Sequence, residues 1–290
     1  LSYMADITPP PERSRAYGWV GAAFAAGFVL GPVLGGLLGE VSPRLPFWAA
    51  AGLSFTVFAY GLFILPESLD PSRRMAFSWR RATPLGALRL LGSHPDLVRL
   101  SLIYFFIYFA HHVFTSVFVL YAGHRYGWGT RDVGLLLAFA GLLDAFMQGV
   151  VVGRVVPRLG ERRTMVLGLA GGTVGLALMG LAPTGPWFIL AQFPSSLWEL
   201  SMPTLHSLMT QRVSESEQGQ LQGANTSVAS IAGIFSPLFF GAVYAASVGE
   251  GALIPFEGTP FLVAAGVLAV SAILGGRVAM PVPVSGSGVR

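Results

Sequence analysis

The sequence predicts an all-α polytopic membrane protein with about eight transmembrane helices. Hydrophobic residues make up 53% of the chain and charged residues only 11%, whereas a soluble domain carries about a quarter charged residues. The apolar residues also form long continuous runs. A soluble fold is rejected, because these runs would leave too little polar surface to face water.

Eight runs are each long enough to cross a bilayer as a helix. In chain order they cover residues 16–38, 46–65, 98–121, 133–153, 163–182, 187–210, 219–246 and 259–276. An arginine-rich loop, residues 67–97, follows the second run and includes a predicted short helix at 84–91. We therefore expect a remnant of an N-terminal helix bundle at 1–66, a C-terminal six-helix bundle at 98–276 and a disordered tail at 277–290.

The distribution of charge predicts the orientation in the membrane. All 18 basic residues are arginines; fifteen fall on one side of the predicted spans, and only Arg44, Arg125 and Arg131 fall on the other. This bias places the first side in the cytoplasm, and it explains the net charge of +4 without a nucleic-acid partner. The chain has no cysteine, so disulfides and thiolate metal sites are excluded, and no cofactor is expected.

The first run contains the glycine-rich stretch GFVLGPVLGG. Gly27, Gly31 and Gly35 are spaced by four residues, which places them on one helix face where a neighbouring backbone can approach closely. Gly36 lies beside this face. Pro32 would break a helix in water, but within a membrane bundle the neighbouring helices can satisfy the freed carbonyl.

The same pattern returns 205 residues later in the seventh run. The matched positions are Glu12, Gly18, Pro32 and Gly36 with Glu217, Gly223, Pro237 and Gly241. The repeat predicts two copies of one unit, of which the first is incomplete. We therefore expect about 110 further residues ahead of Leu1, and a parent protein of about 400 residues with twelve spans.

Ionisable side chains inside the runs are candidates for function, because a charge at mid-span costs about 2.5–3.5 kcal/mol on insertion scales. Asp144 lies in the middle of the fourth run, with Gln148 one turn further on. Glu199 lies in the middle of the sixth run. Gln192, Glu199 and His206 are spaced by seven residues, which predicts one polar stripe along a single helix.

Polar faces on two further runs, the third and the seventh, complete a predicted water-filled cavity at the bundle axis. We expect protons to be exchanged by Asp144, Glu199 and His206. The predicted substrate-cavity residues are Gln148, Gln192, Tyr104, Tyr108, His111, His112, Gln222 and Asn225. The alternative for each carboxylate is a structural pair with an arginine or histidine, and the histidines and tyrosines can instead serve only in packing.

Several segments resemble a known family. The stretch YMADITPPPERSRAYGWVGAAFAAGFVLGPVLGG resembles the fourth-to-fifth-span region of major facilitator superfamily exporters, in particular the tetracycline/proton antiporter group. The resemblance continues through FILPES, GRVVPRLGERR and MPTLHSLMTQRVSESEQGQLQG. It implies a major facilitator fold with two six-helix bundles that rock to give alternating access. It also implies that Gly27, Gly31, Pro32, Gly35 and Gly36 form the antiporter motif.

The chain departs from that group at three positions. Asp144 stands where the tetracycline exporters carry a histidine, and Gly171 and Gly172 stand where they carry an intramembrane aspartate. Glu199 stands where they have a small residue. The groups that carry protons are thus expected to be redistributed, which argues against tetracycline itself as the substrate.

These observations predict a proton-coupled secondary active transporter and not an enzyme. We expect it to act as a monomer in the inner (plasma) membrane, where it exports an amphipathic, drug-like compound in exchange for protons. Its partners are then a small-molecule substrate, protons and the lipid bilayer. Two alternatives stay open: proton-coupled uptake of a sugar or organic acid, and a non-transporting membrane fragment.

Overall fold

The computed structural model describes residues 13–64, 90–92, 95–213, 217–249 and 252–278. All regular secondary structure in these ranges is helical, which confirms the predicted all-α class. Several predicted features lie wholly or largely outside the described residues: the turn before the first run, the helix at 84–91 and the tail after Val278.

Eleven α-helices are assigned within the described ranges. They are α1 (Arg13–Val41), α2 (Leu45–Phe63), α3 (Pro95–Val113), α4 (Val119–Tyr126), α5 (Thr130–Phe146), α6 (Val152–Leu159), α7 (Glu161–Leu181), α8 (Gly185–Ser196), α9 (Ser201–Thr210), α10 (Gln218–Ala245) and α11 (Thr259–Gly276). Short π-helical turns join α3 to α4 at Phe114–Phe118 and α5 to α6 at Met147–Val151, and a 3-10 turn joins α8 to α9 at Leu197–Leu200.

Six of the eight predicted spans are found as continuous helical segments that are long and apolar enough to cross a membrane. They are Leu45–Phe63, Asp96–Tyr126, Thr130–Leu159, Glu161–Leu181, Gln218–Ala245 and Thr259–Gly276. The first run is a single helix, α1, in which the described apolar stretch is Val29–Val41. The sixth run is not one continuous α-helix, because the 3-10 turn divides it.

The sequence repeat is also visible in the helices. Helix α1 ends at Val41 and helix α10 ends at Ala245, so the two helices end at nearly matching positions of the two copies. Each keeps its proline, Pro32 or Pro237, inside an uninterrupted helix. The two copies therefore share one local structure as well as one sequence pattern.

The chain divides into two compact units, residues 1–79 with 128–145 and residues 80–127 with 146–290. In the first unit, α1 packs against α2, and α2 has no buried residue. Its aromatic side chains, among them Phe47 and Trp48, are all more than half exposed, as expected for a lipid-facing helix. The domain boundaries drawn from the sequence stay a prediction.

In the second unit, α7 packs against α8, α9 and α11, and α3 packs against α10 and α11. An aromatic cluster fills part of this core. The ring of Phe261 lies 5.0 Å from that of Tyr121 and 5.6 Å from that of Phe188, between centroids. All three side chains are almost fully buried.

A polar clamp joins the end of α4 to the end of α7. The guanidinium of Arg125 donates to the Ala182 carbonyl at 3.2 Å and to the Glu257 carboxylate at 3.1 Å. The Tyr126 hydroxyl donates to the same carbonyl at 2.9 Å. Because Ala182 follows the last residue of α7, these bonds satisfy a carbonyl at a helix end. Arg125 therefore has a structural role at this end of the unit.

We expect Arg125→Gln to destabilise the protein by about 1–2 kcal/mol, because it removes two charge-assisted hydrogen bonds at a partly exposed site. The measurement is the thermal unfolding midpoint of the detergent-solubilised protein. Arg131→Gln is the matched control, since Arg131 is exposed and makes no side-chain bond in the described part of the chain. Equal unfolding midpoints for Arg125→Gln and Arg131→Gln would show that the hydrogen bonds of Arg125 do not stabilise the protein.

Candidate functional site

Two of the predicted polar residues meet in the second unit. The Gln148 side-chain amide donates to the Glu199 carboxylate, with 2.6 Å between Nε2 and Oε2. Glu199 is half-buried and Gln148 is exposed. Gln148 lies in the π-helical turn Met147–Val151, and Glu199 lies in the 3-10 turn Leu197–Leu200. Both partners thus sit where the α-helical hydrogen-bond pattern is interrupted, a frequent property of functional positions.

Two prolines explain the 3-10 turn. Pro203 has no N–H, so the Glu199 carbonyl cannot form its α-helical bond, and the proline ring crowds that carbonyl. Pro203 is tolerated in the first turn of α9. Pro194 similarly leaves the Leu190 carbonyl without its donor. Between them the backbone tightens: the N–H of Leu197 bonds to the Pro194 carbonyl, and the N–H of Ser201 bonds to the Trp198 carbonyl.

The 3-10 turn lies within the predicted stripe of Gln192, Glu199 and His206. The stripe as a whole stays a prediction. Gln192 is buried in α8, and His206 lies on α9 with its ring 5.6 Å from that of Tyr104.

The predicted polar face of α3 contacts the segments that carry these residues. The ring of Tyr104 lies 4.8 Å from that of Tyr108, and the ring of His111 lies 5.8 Å from that of Trp198 in the 3-10 turn. His112 packs on α10, where a Cβ added to Gly233 would lie 3.1 Å from its Nε2. On α10, Asn225 is buried and Gln222 is exposed.

Several buried polar atoms in this unit lack a hydrogen-bond partner among the described residues. They are Ser101 Oγ, His112 Nδ1, Ser116 Oγ, His206 Nε2 and Asn225 Oδ1. Buried polar atoms in proteins are nearly always paired, by water or ligand where the protein offers no partner. The five atoms therefore indicate positions for water or substrate. No group of three or more metal-ligating side chains is found in the described ranges.

The other predicted carboxylate, Asp144, is half-buried near the end of α5 and belongs to the first unit. The first unit also contains the glycine motif. A Cβ added to Gly36 would lie 3.2 Å from the Gly134 Cα, and one added to Gly134 would lie 2.7 Å from the Pro32 carbonyl oxygen. Helices α1 and α5 thus meet backbone to backbone at these residues.

The contact with α5 lies beside the predicted face and includes Gly36 and Gly39, where an added Cβ would lie 2.7 Å from the Thr130 side chain. A Cβ added to Gly27, Gly31 or Gly35 meets no atom within 4 Å in the described part of the chain. The role of that face in helix packing stays a prediction.

Comparison with known proteins decides the family. The family model for the Major Facilitator Superfamily matches residues 1–237 and 100–288. The chain belongs to the Major Facilitator Superfamily. The two overlapping matches cover nearly the whole chain, in agreement with its helical membrane architecture.

Curated relatives within the superfamily include resistance proteins. The chain is 36% identical over 252 residues to tetracycline resistance protein class G of Vibrio anguillarum, which covers 86% of this chain and 63% of the relative. It is 32% identical over 246 residues to the class C protein of Escherichia coli, with 85% and 62% covered. Multidrug resistance protein 2 of Bacillus subtilis is 29% identical, with 84% and 61% covered. The chain thus spans about three-fifths of the length of these relatives.

Solved structures of superfamily proteins show the same fold. The human organic anion transporter MFSD10 (TETRAN) superposes with a TM-score of 0.65 at 24% identity, over 94% of this chain and 66% of that one. A bacterial homologue of the human lysosomal transporter Spinster, in an inward-facing and unoccupied conformation, gives 0.67 at 15% identity, over 94% and 72%.

Proposed function

We propose that the protein acts as a proton-coupled exporter of amphipathic, drug-like compounds across the inner (plasma) membrane. It works as a monomer by alternating access, with protons moving inward as the compound moves outward. Membership of the superfamily and relatives named for tetracycline and multidrug resistance support export of such compounds. The resemblance at the glycine-proline motif of α1 favours antiport over uptake of a sugar or organic acid.

The observation that carries the proposal is the neutral partner of Glu199. The ion pairs found in the described ranges join Arg125 and His124 to Glu257, and Arg212 to Asp96. Within those ranges no arginine or histidine lies within 4.0 Å of the Glu199 carboxylate, whose hydrogen bond comes from an uncharged amide. A carboxylate locked to a cation would keep its charge, whereas one held by glutamine is free to gain and lose a proton.

The second unit, which contains Glu199, carries side chains that suit an amphipathic substrate. Tyr104, Tyr108 and Trp198 supply aromatic surface, which binds flat apolar groups. The unpaired atoms on His112 and His206 supply polar contacts that fix orientation. Asp144 is the second proposed proton carrier, because it is an ionisable residue in the middle of a predicted span.

The test uses inverted membrane vesicles from cells that produce the protein, with an imposed proton gradient that makes the lumen acid. Adding ethidium, an amphipathic drug-like compound, to the medium should release protons from the vesicles through an exchange of substrate for protons. Asp144→Asn combined with Glu199→Gln should abolish this release. Proton release that survives the double substitution excludes the mechanism, and proton movement in the same direction as the substrate indicates uptake instead.

A further inference from the structure

Helix α7 presents a face made of glycines to the segment that carries Glu199. The four residues are Gly168, Gly171, Gly172 and Gly175. Their spacing of three, one and three residues places them on one side of a helix. This face meets the chain from Pro194 to Ser201, which contains the whole 3-10 turn.

The approach is too close for any other residue. A Cβ added to Gly175 would lie 2.4 Å from the Ser195 Cα, and one added to Gly168 would lie 2.8 Å from the Leu197 carbonyl oxygen. Real Cβ atoms essentially never come within 3.0 Å of another atom in this way. Glycine therefore lets two backbones touch, as in other tightly packed membrane helices.

The same face receives the first two side chains of the 3-10 turn. A Cβ added to Gly171 would lie 2.5 Å from the Leu197 Cβ, and one added to Gly172 would lie 3.0 Å from the Trp198 Cβ. Glu199 is the next residue. Because the flanking prolines deprive this segment of α-helical hydrogen bonds, its geometry depends on the packing around it.

We infer that the glycine face of α7 holds the 3-10 turn in place and thereby directs the Glu199 carboxylate onto Gln148. This inference rests on the proposed role of Glu199 and makes the four glycines positioning residues for proton exchange. It also gives the Gly171–Gly172 pair a physical role: the pair makes room for Leu197 and Trp198.

The experiment measures how fast dicyclohexylcarbodiimide, an apolar reagent for membrane-embedded carboxyl groups, modifies Glu199 in native membranes. The sequence makes this reading unambiguous, because Glu199 is the single acidic residue between Arg163 and Arg212. Trypsin thus yields one peptide, residues 164–212, whose modified fraction is determined by mass spectrometry. The measurement does not depend on transport.

We expect Gly171→Ala to displace Leu197 and thereby break the hydrogen bond between Glu199 and Gln148. The modification rate should then increase about tenfold, the factor expected for the loss of one charge-assisted hydrogen bond. Gln148→Leu should give the same increase. The double variant should be no faster than either single variant, because both act on one interaction. Gly266→Ala is the matched control: a Cβ there meets no described atom within 4 Å, so the rate should not change.

An unchanged rate in Gly171→Ala, or increases that multiply in the double variant, would overturn the inference. If Gly171→Ala does not accumulate in the membrane, Leu197→Ala replaces it and must also raise the rate, because it removes the side chain that Gly171 accommodates. Failure of this inference can be distinguished from failure of the proposed function. Coupled transport that persists in Glu199→Gln would refute the proton role while the modification rates still report on positioning.

Discussion

Glu199→Gln is expected to abolish proton-driven export while the folded protein stays in the membrane. Glutamine keeps the size of the side chain and its hydrogen bond to Gln148, but it cannot release a proton. Export against a substrate gradient should fall to the level of membranes without the protein. Exchange of labelled for unlabelled substrate at equal concentrations should continue, because it needs no net proton movement.

Both activities are measured on the same proteoliposomes, so that loss of protein is distinguished from loss of coupling. Glu40→Gln makes the same chemical change at an exposed residue near the end of α1 and should leave export intact. Glu199→Asp keeps the titratable group and should retain part of the activity. Full gradient-driven export by Glu199→Gln would contradict the assignment of Glu199.

Gly134→Leu is expected to prevent stable folding of the first unit. Even the Cβ of the new side chain would lie 2.7 Å from the Pro32 carbonyl oxygen and 2.9 Å from the Gly36 Cα. Backbone atoms cannot move aside as a flexible side chain can, so the cost should exceed the 1–3 kcal/mol that is typical of overpacking. The measurement is the yield of monodisperse protein and its unfolding midpoint after solubilisation in detergent.

Gly52→Leu is the control for this prediction. Gly52 lies in α2 of the same unit, and a Cβ added there meets no described atom within 4 Å. The larger side chain would face lipid, where leucine is favourable. We therefore expect normal yield and an unchanged midpoint. A Gly134→Leu protein as stable as Gly52→Leu would show that α1 and α5 do not meet at these glycines.

Much of the fold followed from residue chemistry alone. The long apolar runs predicted membrane helices, because a helix in lipid must satisfy its own backbone and be apolar outside. The family followed from local motifs that the family comparison then confirmed. Glu199 was identified as a candidate because a charged group inside a span is costly, which needs no knowledge of its neighbours.

Other features could not be predicted from spacing. The seven-residue spacing of Gln192, Glu199 and His206 does not show the 3-10 turn between them, which arises because Pro203 cannot donate a hydrogen bond to the carbonyl four residues earlier. The face of α1 that makes contact depends on Thr130 and Gly134, about a hundred residues away in the sequence.

The sequence by itself predicted the membrane location and the superfamily of this protein, because the polarity of successive segments and the local motifs are enough for both. Only the tertiary structure decided that Glu199 bonds to Gln148 and that the glycines of α7 lie against the turn that carries Glu199. The first contact joins residues 51 positions apart in the chain, and the second joins two consecutive helical segments. Their geometry depends on how helices pack, and helical periodicity within one segment carries no information about its partner.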